Sequence, residues 1–195
     1  MSKSFIILST ALVLLLVGLN SFVYADKAKS VKTASTGKAQ IGGAFELTSH
    51  KGNIVTDKNF KGKKMMVFFG FANCPAICPT GLSNISQVID ILGEKSSEIA
   101  PVFITIDPER DSVAALDSYM ENFHESITAL TGPQAEINKA IENYKVYSRK
   151  VEIEGGYTMD HSAYIYLMDE DGEYLAHFAH DEDAEQIATK VKRFL

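Results

Sequence analysis

The chain of 195 residues has no tryptophan and only five prolines, and it lacks any internal repeat or low-complexity tract. Those absences exclude a fibrous or wholly disordered protein. With 46% hydrophobic residues there is material for one well-packed domain and a short extra element, and too little for two comfortable domains. A basic balance is missing as well. The chain carries −6 overall, and residues 1–40 hold five lysines against one aspartate; setting that +4 aside leaves −10 on residues 41–195. So acidic a body disfavours nucleic acid as a partner.

Charge of either sign is absent from Phe5 to Ala25, a stretch of 21 residues. About 20 apolar residues are needed to span a bilayer as a helix, so a retained membrane anchor fits. Val23-Tyr24-Ala25 also matches the small-residue pattern read by signal peptidase, so a signal peptide cleaved after Ala25 fits equally. No Arg-rich amphipathic leader is present, which leaves a mitochondrial address unsupported and makes export to a bacterial periplasm the simpler reading. Residues 26–40, "DKAKSVKTASTGKAQ", are small, polar and lysine-bearing, and read as a flexible tether between residues 1–25 and a folded domain over 41–195.

Within that domain "FELTSHKGNIVTDKNFKGK" alternates apolar and polar residues around Lys51-Gly52-Asn53, the pattern of a short hairpin. "KMMVFFGF" (64–71) is continuously apolar, as a strand covered on both faces would be. From Thr80 the period changes: Leu82, Ile85, Val88, Ile89 and Leu92 recur at helical spacing and Gly93 can stop the helix. The alternation then predicts strands over 101–107, 126–132, 162–168 and 173–179, and helices over 112–123, 133–144 and 181–194, the last capped by Asp181. The fold class is therefore α/β, a central mixed sheet flanked by helices. Its element order, with two cysteines at the first strand-to-helix junction, resembles a thioredoxin-like domain.

Cysteine is scarce, and both copies lie in "VFFGFANCPAICPT" (67–80). A structural disulfide between Cys74 and Cys78 would close too small a loop to restrain the unfolded chain much. Their four-residue spacing lets both sulfurs reach one spot, and a helix N-terminus nearby favours the thiolate. Thiol-exchange proteins of the thioredoxin type usually separate their cysteines by two residues, whereas three stand here, which fits a metal chelate better. The Thr or Ser that a thiol peroxidase usually places three residues before its reactive cysteine is missing, Phe71 being there instead. Proline is also missing after Pro133, so the cis-proline of redox thioredoxin-like domains has no counterpart.

Two sulfurs rarely complete a metal site, and five histidines are available. His50 falls in the hairpin turn, His124 at a helix end, and His177 and His180 where the last strand runs out, all positions that a solvated histidine occupies without special cause. His161 instead follows the glycine-containing segment "EGGYTMD" and immediately precedes an apolar strand, where the loop would face the cysteines. Two thiolates and an imidazole form a soft set suited to Cu(I), and to Cu(II) if a weak ligand joins. Zinc is the rival, but it favours four ligands and no fourth is evident. Asp160 has the place of a supporting residue beside the metal, although an exposed acid explains it as well.

The motifs "FFGFANCPAICPT" (68–80), "ITIDPERDS" (104–112), "LTGPQAEINKAIENYKVYSRK" (130–150) and "MDHSAYIYLMDEDGEYLAHF" (159–178) together resemble the SCO/SenC family of membrane-tethered copper proteins. The resemblance implies a metallochaperone that assists assembly of the CuA centre of cytochrome c oxidase, with copper on Cys74, Cys78 and His161. It implies as partners a copper-receiving oxidase subunit, other copper chaperones or thiol reductants, and the membrane through the N-terminal segment. Because the family also includes thiol reductants and redox sensors, a Cys74–Cys78 dithiol that cycles to a disulfide stays open as the alternative. For "DPERD" the resemblance implies a role for Asp107, Pro108, Arg110 and Asp111. A structural account also suffices, with Asp111 or Ser112 capping the next helix and Arg110 paired to an acid.

Overall fold

The computed structural model describes residues 39–195. The expected signal or anchor over 1–25 and nearly all of the expected tether lie outside the described residues. Among those that are described, no helix is long and apolar enough to cross a membrane.

The expected hairpin forms from β1 (Glu46–Ser49) and β2 (Ile54–Thr56), paired antiparallel. Next come β3 (Lys64–Gly70) and β4 (Ile99–Thr105), parallel neighbours in which every residue is buried. Burial on both faces is why these segments read as unbroken apolar runs rather than alternating ones. β5 (Thr128–Thr131) continues the parallel direction beyond β4. β8 (Tyr164–Met168) lies antiparallel against the other side of β3, and β9 (Tyr174–Ala179) closes that edge. The complete order is β2-β1-β5-β4-β3-β8-β9, a seven-stranded mixed sheet, as the sequence predicts in class.

Helices cover both faces. α1 (Ile77–Leu92) joins β3 to β4 and α2 (Val113–Met120) joins β4 to β5; α3 (Gln134–Asn143) follows β5, and α4 (Ala184–Val191) packs on α1. Two adjacent phenylalanines of β3 show the layering, because successive side chains on a strand point to opposite faces. Phe68 meets Phe103 at 6.2 Å on the α1 and α2 side, where Phe103 in turn meets Tyr119 of α2. Phe69 meets Tyr144, just past α3, at 5.2 Å on the opposite side.

Three details differ from the sequence reading. α1 begins at Ile77 rather than Thr80, since Pro79 is tolerated in a first turn where its missing N–H would have no intrahelical partner. α4 is capped by Asp183, whose side chain accepts from the Gln186 N–H, while the expected cap Asp181 sits in the preceding turn. The largest difference is a second, two-stranded sheet of β6 (Ser148–Ile153) and β7 (Gly156–His161) where the sequence reading has a glycine-containing loop. Its residues are all exposed or half-buried, so no apolar alternation marks it.

A candidate metal centre at the β3–α1 junction

Gly70 ends β3 and the chain turns through Phe71 to Cys74, whose N–H donates to the Phe71 carbonyl at 3.2 Å. Gly70 has to be small: a Cβ there would lie 2.8 Å from Cys78 Sγ and 2.9 Å from the Phe103 ring. Cys74 precedes α1 and Cys78 stands in its first turn. Ala76, at the cap position, has no side-chain acceptor for the free N–H groups. The Cys74 sulfur serves instead, accepting the Cys78 N–H at 3.4 Å. Cys78 is fully buried, and Cys74 is 8% exposed at the mouth.

His161 reaches this pair from the end of β7. Its Nε2 is 3.6 Å from Cys78 Sγ, and the three ligand atoms of Cys74, Cys78 and His161 all lie within 4.8 Å of one another. Nδ1 sits 2.8 Å from the Ser162 carbonyl, which only an N–H can satisfy. That bond assigns the proton to Nδ1 and leaves the Nε2 lone pair facing the sulfurs, the tautomer a metal ligand needs. The Phe71 ring stands edge-on to the imidazole at 5.9 Å between centroids.

The two thiols are unequal. A hydrogen bond from the Cys78 thiol is the main cause that brings Cys74 from 9.0 down to about 3, against the opposing effect of burial and with further help from two backbone N–H groups. Cys78 moves the other way, because it is the donor to Cys74 and is also buried away from water. Cys74 is thus the sulfur that ionises first and Cys78 the one that keeps the shared proton, which a soft cation entering between them would displace.

Asp111, not a ligand, fixes the loop that carries the cysteines. Almost fully buried, it accepts the Ala72 N–H at 3.0 Å and the Thr105 hydroxyl at 2.6 Å, and burial raises its carboxyl above the ordinary aspartate value. Ser112 is the cap of α2, accepting the Ala115 N–H. Arg110 pairs with Asp107, as a structural account of "DPERD" requires, and also reaches Tyr157 of β7, a residue the sequence reading does not single out. Its only sequence signal is its place on the same strand face as His161.

Asp160 is exposed, with its carboxylate 3.7 Å from Arg149 across the hairpin, and is not in the converging group. Among the described residues the other histidines have different partners. His50 accepts the Ala129 N–H, His124 bonds Ser126, His177 meets the Tyr174 hydroxyl, and His180 lies 4.0 Å from Asp181.

The family model for SCO1/SenC matches residues 33–195. The chain belongs to the SCO1/SenC family. A SCO2-like protein of Rickettsia prowazekii is 38% identical over 158 residues, covering 80% of this chain and 77% of that one. The structure of Bradyrhizobium japonicum ScoI with copper bound is similar with a TM-score of 0.75 and 44% identity, over 80% of this chain and 99% of that chain. Arabidopsis thaliana ScoI with copper bound gives a TM-score of 0.74 and 37% identity, over 78% and 96%. The mixed sheet with cysteines at the first strand-to-helix junction is thus the architecture of this SCO1/SenC member, as its motifs imply.

Proposed function

We propose that this chain is a copper metallochaperone that carries Cu(I), and can hold Cu(II), on Cys74, Cys78 and His161, and delivers it to the CuA-bearing subunit of cytochrome c oxidase. The observation that carries the reading is the convergence of two sulfurs and a correctly protonated imidazole within 4.8 Å, in a family whose relatives have been solved with copper bound. Copper here is cargo. The thiolate of Cys74 at the mouth makes first contact, Cys78 gives up its proton as the second sulfur joins, and His161 closes the set from the hairpin. Release runs in the opposite sense, with the more exposed Cys74 shared with an incoming ligand of the acceptor. The work takes place outside the cytoplasm, in a bacterial periplasm, with the N-terminal segment holding the domain to the membrane or being removed after Ala25.

The depressed Cys74 thiolate also favours a second use of the same sulfurs, as a dithiol that reduces or senses disulfides. Copper titration of the reduced chain separates the two. A carrier binds one copper per chain, loses it on Cys74→Ala or Cys78→Ala, and in His161→Ala releases Cu(II) at least about 10- to 100-fold more readily, given that even outer partners of metal sites act on that scale. A reductant turns over disulfide without copper and keeps its activity in His161→Ala.

A further inference from the structure

His161 is carried by the one pair of described strands that is not laddered into the main sheet. β6 and β7 pair only with each other, and an isolated two-stranded hairpin is marginally stable in water. Its ends are tied by the Ser162 N–H to the Tyr147 carbonyl at 2.9 Å and the Tyr147 N–H to the Ser162 hydroxyl at 3.1 Å. Those bonds keep the hairpin in register but do not dock it on the body.

Met159 packs against the core, and the polar docking falls to Tyr157. Side chains at i, i+2 and i+4 share one face of a strand, so Tyr157, Met159 and His161 project the same way from β7. The Tyr157 hydroxyl donates to Asp107 Oδ1 at 2.9 Å, and Arg110 Nη1 donates to the Tyr157 carbonyl at 2.9 Å. Asp107 is 3% exposed and receives Arg110 Nε on its other oxygen, so both carboxylate oxygens are engaged. The Arg110 guanidinium lies 3.8 Å over the Tyr157 ring and 5.8 Å from the Phe71 ring centroid, and Phe71 is the ring that stands edge-on to His161. On the outer side Lys150 Nζ covers the Tyr157 ring at 3.6 Å while pairing with Glu109. The turn after β4 therefore grips one end of β7, and His161 is presented at the other.

We infer that Asp107, Arg110 and Tyr157 are positioning residues, a clamp that holds His161 at bonding distance and so sets how firmly Cu(II) is kept relative to Cu(I). The inference rests on the copper reading above. The soft thiolates supply most of the hold on Cu(I) even with the imidazole bound, whereas Cu(II) depends more on the harder imidazole nitrogen. Loosening the clamp thus weakens the hold on Cu(II) and leaves Cu(I) nearly untouched.

The test uses the full chain with Tyr157→Phe, which keeps the ring and removes the hydroxyl, and Arg110→Gln, each alone and combined with His161→Ala. Amide hydrogen exchange over residues 148–161 is followed in metal-free protein, with β3 amides as the internal reference. Cu(II) release to EDTA and Cu(I) competition with bathocuproine are then measured. The clamp predicts that hairpin exchange and Cu(II) release both quicken about tenfold, the size of one lost buried hydrogen bond, while β3 exchange and Cu(I) affinity stay within about twofold. In the His161→Ala background the same substitutions leave Cu(II) release unchanged. Unaltered hairpin exchange, or an equal acceleration of release without His161, overturns the clamp. A wild-type chain that takes up no copper overturns the copper reading instead, and the metal-free exchange then decides the clamp by itself.

Discussion

At the scale of single residues the asymmetry of the two sulfurs is the working feature. The Cys78 thiol donates to Cys74 and two backbone N–H groups add to it, so Cys74 ionises well below the pH where an ordinary thiol with a value of 9.0 does. A group with a depressed value is fully ionised above that value and loses the charge only as pH falls through it. Alkylation of Cys74 by iodoacetamide in reduced, metal-free protein should therefore run at a flat rate from about pH 5 to pH 8, where an unperturbed thiol gains about tenfold per unit. A rate that climbs tenfold per unit across that window contradicts the shared-proton pair. The candidate trio was legible at this scale because sulfur and imidazole are rare in the chain and their spacing has few other uses. Asp111 was not legible as the residue that fixes the cysteine loop, since a buried acid that accepts a backbone N–H looks in sequence like any helix cap.

Among elements, α1 against β3 decides where Cys78 sits. Gly81 of α1 lies directly over Phe68 of β3, and a Cβ there would come within 2.7 Å of the Phe68 ring. Phe68 is fully buried and has Phe103 beside it, so the ring has little room to retreat. Gly81→Ala offers the helix up to about 1 kcal/mol of propensity. Overpacking costs about 1–3 kcal/mol, so it wins and thermal unfolding should move down rather than up. A raised melting temperature would show that the α1–β3 contact is looser than the structure has it. Strong periodicity made α1, β3 and β4 readable, whereas the β6–β7 hairpin was missed because its polar, half-exposed strands carry no apolar alternation. That element carries the third candidate ligand, so sequence found His161 by its neighbours and not by the strand that delivers it.

For the molecule as a whole, a rigid seven-stranded sheet fixes two cysteines in a loop at the C-terminal end of a parallel strand, and a separately paired hairpin brings the histidine across to them. Ligand sites in such sheets commonly lie at the carboxyl ends of parallel strands, where the connecting loops meet. Two candidate ligands on the body and one on the hairpin is an arrangement that would suit cargo held and then surrendered. X-ray absorption at the copper edge on the Cu(I)-loaded chain and its His161→Ala variant tests this most directly. Two sulfur donors are expected in both proteins, with a nitrogen donor present in the wild type and lost in the variant. A copper centre with fewer than two sulfurs, or one whose nitrogen donor survives the loss of His161, would contradict it.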